Sequence, residues 1–298
     1  MNAVLVVPGI MGSELIDTTD GKSIWGLADP GWYVRAWTTG SSLKALRLTD
    51  AELSGNYGRV YASRVLRAPA FAPFLQGIEP YTDLLRQLRA VSAHADAVAE
   101  FPYDWRLPVA YNASLLADAI RRHLEYWRER VRRLQMERNL PDEDPGVVLV
   151  AHSMGGLLAR HLNLIPGALD DVRSTITLGT PFYGSVKAAF MIATGAGAPV
   201  PLPRRELRAL AVGLPGLYDL LPSYRCVDLI TDARRLLPSD IAAMGGDPDL
   251  AAASVAWHDD LAETALPGHI QVVGTEQPTF QSVSFSNGTP TGLRHTCR

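Results

Sequence analysis

The sequence predicts an α/β protein: a mostly parallel sheet with helices on both faces and an inserted helical cap. Three observations predict it. Short apolar, β-branched runs bounded by Gly, Pro or Asp recur along the chain. Helical patterns separate several of them, which is the order of a covered parallel sheet. Between residue 185 and about residue 266 that order fails, and then another strand-like run appears.

The 298 residues allow one large domain or two small ones, and 47% apolar with 20% charged residues is an ordinary globular balance. A net charge of −3 gives no general attraction to phosphate, so nucleic acid is not an expected partner. Cys226 and Cys297 are too few for a disulfide framework. No basic region precedes a long apolar stretch at the N-terminus, so the expectation is a cytoplasmic protein without a signal peptide.

Residues 4–7 read as the first buried strand. Residues 81–90 place Leu84, Leu85 and Leu88 on one side of a helix. Residues 97–101 read as a second buried strand. From about 114 to 138, Leu116, Ile120, Leu124, Trp127, Val131 and Leu134 recur at the helical period; Asn112 is the expected cap and Pro141 bars continuation. Seven arginines between 121 and 138 are interleaved with glutamates, and read as a solvated face. Residues 147–150, 172–178 and 270–273 are three more buried strands. The boundaries expected are a core over 1–184, a cap over 185–266, and a core strand with a C-terminal segment over 267–298.

The strongest chemical signal is Ala151-His152-Ser153-Met154-Gly155-Gly156, between the run 147–150 and an apolar helix. A serine on a sharp strand-to-helix turn has its hydroxyl lifted clear of the sheet. Small neighbours are needed where the chain crosses closely, and Ala151 stands where a first glycine is usual. The N–H of Met154, at the helix start, can face a developing oxyanion. Pro8-Gly9-Ile10-Met11-Gly12, after the first strand, offers a second donor at Met11. Taken alone, either segment also fits a plain turn. Asp20-Gly21-Lys22-Ser23 lacks the first glycine of a phosphate loop, and the histidines and cysteines show no metal-binding spacing, so neither a cofactor nor a metal is expected.

These two segments resemble the lecithin–cholesterol acyltransferase family. So do Pro102-Tyr103-Asp104-Trp105-Arg106, Leu178-Gly179-Thr180-Pro181-Phe182-Tyr183-Gly184-Ser185, and Leu214-Pro215-Gly216 with Leu220-Leu221-Pro222. The resemblance implies an α/β-hydrolase fold with a lipid-facing cap. It implies an O-acyltransferase, lipase or phospholipase working through a serine acyl-enzyme, with a lipid ester as substrate and an alcohol or water as acceptor. Ser153 is then the nucleophile, Met11 and Met154 give the oxyanion N–H groups, and Tyr103, Asp104, Trp105 and Arg106 support the site. Residues 188–203, with Phe190, Met191 and Ile192, offer peripheral membrane contact or ordinary cap packing.

The family places its acid and histidine after the cap. No Gly-Asp-Gly loop follows residues 270–273, and the chain reads as truncated, without the last strand and helix. His258, Asp259 and Asp260 read as exposed on a cap helix. Chain order permits Glu276 and His295 as a substitute acid and base. Without a working base, an impaired enzyme is expected, or a non-catalytic lipid-binding protein of the same fold.

Overall fold

The computed structural model describes residues 1–26, 29–67, 81–138, 144–198, 201–229, 231–276, 278–286 and 289–296. Strand β1 (Ala3–Val7) is followed by a small antiparallel sheet of β2 (Ser13–Asp17), β3 (Ser23–Trp25) and β4 (Val60–Val65), with helices α1 (Pro30–Thr38), α2 (Ser41–Ala45) and α3 (Asp50–Leu53) inserted before β4. Helix α4 (Thr82–Val91), β5 (Val98–Glu100), α5 (Val109–Arg138), β6 (Val147–His152), α6 (Met154–His161) and β7 (Val172–Leu178) complete the alternating part. The cap carries α7 (Val186–Thr194), α8 (Arg204–Ala211), α9 (Pro215–Tyr218), β8 (Arg225–Asp228), β9 (Ala233–Arg235), α10 (Pro238–Ala243) and α11 (Pro248–Asp260). Strand β10 (His269–Val272) returns to the core, and β11 (Pro278–Ser286) and β12 (Thr289–Thr296) form a final hairpin.

The central sheet has the order β10-β7-β6-β1-β5, and every pairing in it is parallel. Leu5 pairs with Leu149, and Leu149 with Thr175, so β1 and β6 sit mid-sheet, buried on both faces. That is why they read as unbroken apolar runs rather than alternating ones. One face is covered by α5 and α6. Leu116, Ile120, Leu124, Trp127, Val131 and Leu134 are all buried there, as their spacing predicts. The other face packs Val6, Val98 and Val150 against Tyr81 and Leu85 of the α4 segment.

Helix α5 begins at Val109, five residues before its predicted start. Asn112 is therefore not the cap: it lies within the first turn, buried, with its amide donating to the Asp104 carbonyl. The cap is supplied from a distance, because Asp219 Oδ2 accepts the Val109 N–H at 2.7 Å. The 270–273 run is also corrected. It does form a core strand, with Ile270 opposite Ile176, but it lies at the sheet edge and all four β10 residues are exposed. The small sheet β3-β2-β4 was not predicted, since its strands are short and mix Ser, Glu, Asp and Arg with apolar residues. The hairpin β11–β12 joins the cap: Val283 pairs with Val227, giving a sheet β12-β11-β8-β9.

Asp219 anchors the cap to the core, and its burial pushes its carboxyl up from 3.8 to about 7, opposed only in part by the Val109 N–H. Between about pH 4 and pH 7 the folded chain therefore holds a proton that the unfolded chain has released. Stability falls as pH rises through that window. Asp219→Asn keeps an acceptor for Val109 and removes the titration. Its melting temperature is expected to match the parent near pH 4 and exceed it at pH 8; a difference independent of pH would contradict this assignment.

Candidate active site

Ser153 is held at φ 49° and ψ −122°, between the last residue of β6 and the first of α6. A non-glycine residue rarely adopts a positive φ, and the cost is of order 1–3 kcal/mol. The surrounding chain enforces it. The Ser153 N–H donates to the Leu178 carbonyl at 2.9 Å, and the Ser153 carbonyl accepts from Gly156 N at 3.0 Å. A Cβ on Gly155 would lie 2.5 Å from the Pro8 carbonyl oxygen, one on Gly9 would lie 2.9 Å from Ser153 Cβ, and one on Gly156 would enter the Thr180 side chain. Three glycines thus allow the elbow, the loop after β1 and the turn after β7 to meet at one point.

Met11 also has a positive φ, of 61°. Its carbonyl accepts the Trp25 indole N–H at 2.9 Å, and a turn closes from Gly12 N to the Gly9 carbonyl at 3.0 Å. Met154 is the first residue of α6, where backbone N–H groups have no intrahelical acceptor. Ser153 and Met11 line one cavity of about 280 Å³, together with Ile10, Pro181, Lys187 and Leu220 among others. An apolar slot of about 20 Å³ shares Ile10, Met11, Met191 and Leu217 with it and adds leucines of α2 and α8. The geometry sets the Ser153 side chain and the Met11 loop on one cavity whose wall is mainly apolar.

The segment after β5 braces this site. Tyr103 donates its phenol to the Pro8 carbonyl at 3.0 Å, and its N–H donates to Ser13 Oγ. Burial, reinforced by the nearby Tyr81 phenol, holds the Tyr103 hydroxyl protonated well above the ordinary tyrosine range. Arg106 is fully buried and forms ion pairs with Asp104 (2.6 Å) and Glu52 (2.8 Å), and donates to the Leu46 carbonyl. Trp105 packs edge-on to Trp25 and lines the apolar slot.

Sequence reasoning missed two residues here. Tyr81 Oη accepts the Gly9 N–H and bonds His152 Nδ1, each at 2.8 Å, so one phenol couples the loop after β1 to the elbow. Nothing local in the sequence marks it, because its partners lie 72 and 71 positions away. Lys187 is the second, one residue into α7 beyond the turn that follows β7.

Glu276 is exposed, with φ 59°, and is not among the described residues lining the Ser153 cavity. His295 lies in β12 with its backbone opposite Thr279. His258 is corrected: it is buried, and Nε2 meets the Asp219 carbonyl at 3.1 Å. Burial lowers its pKa, with the Asp219 carbonyl opposing. Asp259 and Asp260 are exposed as expected. Among the described residues no cluster of His, Cys, Asp and Glu could hold a metal ion.

The model of the family described as Lecithin:cholesterol acyltransferase matches residues 71–260. The chain belongs to the lecithin:cholesterol acyltransferase family. Membership supports acyltransferase- or lipase-type chemistry on lipid esters. Among solved structures, a chain in the crystal structure of the Tle4–Tli4 complex is similar over 100% of this chain and 84% of its own, with TM-score 0.59 and 17% identity. That likeness supports the α/β-hydrolase fold alone. The crystal structure of the mature Bacillus licheniformis lipase BlEst2 aligns over 91% of this chain and 84% of its own at 13% identity, with a TM-score of 0.29 that is too low to inform the fold. No curated protein matches the sequence.

Two variants test the framework of this family member. Arg106→Ala leaves two buried carboxylates without their cation and is expected to cost about 3–5 kcal/mol in urea unfolding. Gly155→Ala forces a methyl group against the Pro8 carbonyl and is expected to cost about 1–3 kcal/mol, read the same way. Unchanged unfolding midpoints would show that these contacts do not hold the site.

Proposed function

We propose that this chain binds a glycerolipid ester and transfers its acyl group through Ser153. The observation that carries the reading is the strained Ser153, facing a cavity of about 280 Å³ that it shares with the Met11 loop and that is walled mainly by apolar residues. In this reading the ester carbonyl lies at Ser153 Oγ and the acyl chain runs along the apolar wall of the same cavity, against Ile10, Met11, Met191 and Leu217. Attack on that carbonyl puts negative charge on its oxygen, which accepts hydrogen bonds from the Met11 and Met154 N–H groups. The Ser153 hydroxyl proton passes to the departing alcohol oxygen as its bond to the acyl carbon breaks; water or a second alcohol then attacks the acyl-serine, takes the acyl group and returns a proton to Ser153 Oγ.

The step needs a proton acceptor. Among the described residues, no histidine or carboxylate lines the Ser153 cavity. Without a base a serine retains only binding and oxyanion help, roughly 10³–10⁴-fold over water. Turnover by these 298 residues is therefore expected to be impaired, and the same observation favours a second reading, a lipid-binding protein that no longer turns over. Among the described residues, no helix is long and apolar enough to cross a membrane. Peripheral contact with a lipid surface is better carried by Val34 and Trp37, exposed one turn apart on α1, than by residues 188–203. There Phe190 stacks on Phe280, Met191 lines the cavity and Ile192 is buried.

A fluorophosphonate probe is expected to modify Ser153 slowly, with the adduct mapped by peptide mass spectrometry and absent from Ser153→Ala. Hydrolysis of a short p-nitrophenyl ester should be detectable in the parent alone. Modification elsewhere, unchanged in Ser153→Ala, would remove the serine from the mechanism. Lipid binding without any labelling would favour the second reading.

A further inference from the structure

Only three polar side chains line the Ser153 cavity among the described residues: Ser153, Ser185 and Lys187. Lys187 is the one ionisable group of the set. It stands in the first turn of α7, whose cap Ser185 accepts the Lys187 N–H. The side chain is exposed, and among the described residues no carboxylate pairs with it. All other lining residues are apolar or glycine. The slot beyond Ile10 and Met11 is lined entirely by apolar residues. Among the described residues the cavity wall is therefore mainly apolar, and its single charge is positive.

Resting on the lipid-ester reading above, we propose that Lys187 determines head-group specificity, selecting glycerophospholipids with a net negative head group over zwitterionic and uncharged lipids. An acyl chain lying against Ile10, Met11 and Leu217 in this cavity leaves Ser185 and Lys187 to meet the rest of the lipid. A phosphodiester is the first charge met beyond the ester in such a lipid. An ammonium accepts it as a charge-assisted hydrogen bond, stronger than a neutral one. A choline or ethanolamine group brings a cation as well. Among the described residues the cavity offers that cation no carboxylate, and Lys187 repels it as a like charge. A diacylglycerol leaves Lys187 without an anion. Specificity arises here as much from the missing acid as from the lysine.

The test is equilibrium binding of monomeric dihexanoyl phosphatidylglycerol, phosphatidylcholine and diacylglycerol to full-length Ser153→Ala, by titration calorimetry. Phosphatidylglycerol is expected to bind about tenfold more tightly than diacylglycerol, as one charge-assisted hydrogen bond would give, and severalfold more tightly than phosphatidylcholine, whose phosphate keeps that bond while its choline is repelled. Added Lys187→Glu should abolish the preference, Lys187→Arg should retain it, and raised ionic strength should weaken it. Equal binding of the three lipids, or a preference that survives Lys187→Glu, would overturn the proposal. The readout needs no acyl transfer, so it fails separately from the serine reading, which fluorophosphonate labelling of the parent decides.

Discussion

One close crossing of backbone governs this molecule. The strand β6 must turn into α6 within a single residue, beside the loop after β1 and under the turn after β7. Ser153 takes a conformation that costs free energy, and it persists because bonds to Leu178 and Gly156 leave no alternative. Gly9, Gly155 and Gly156 are required there for space rather than for flexibility, since none of the three has a positive φ. Loss of that clearance would move the hydroxyl, the loop donors and the cavity together.

The braces around the crossing come from far along the chain. Tyr81 ties the loop to the elbow, Tyr103 ties it to the segment after β5, and Trp25 fixes the Met11 carbonyl. The Arg106 cluster then fixes that segment against α3 through Glu52. Burial alone would raise the Glu52 carboxyl. The Thr49 N–H and the Arg106 charge outweigh it and hold the pKa below the usual range. A buried arginine shared by two acids is poor as a source of stability but strict in geometry. It suits a segment that has to hold one tyrosine in place.

Much of this was legible in the sequence, for reasons that particular residues make clear. Central strands such as 147–152 carry their own evidence, because a doubly covered strand must be apolar throughout. Helix α5 announces its buried face by period. The elbow is readable because the crossing admits few residue types at 151, 155 and 156. The rest depended on partners that sequence spacing does not encode. Asn112 looks like a cap until Asp219 is seen to take that role from 110 positions away. His258 looks exposed until the Asp219 carbonyl and the Trp257 ring surround it. Residues 270–273 look like interior strand, and only the sheet order shows them at the edge.

The cap is fastened at two places. After α8, Gly216 donates to the Arg106 carbonyl and Asp219 holds Val109. Near its exit Arg160, on the helix that follows Ser153, donates to the carbonyls of Leu261 and Ala262 and to the hydroxyl of Thr264. A cover riveted on two sides does not work as a hinged door. Access for a long aliphatic tail then falls to the stretch before Gly216, where α7 and α8 pack on each other and would have to part sideways, and the width of that gap would set which tails pass.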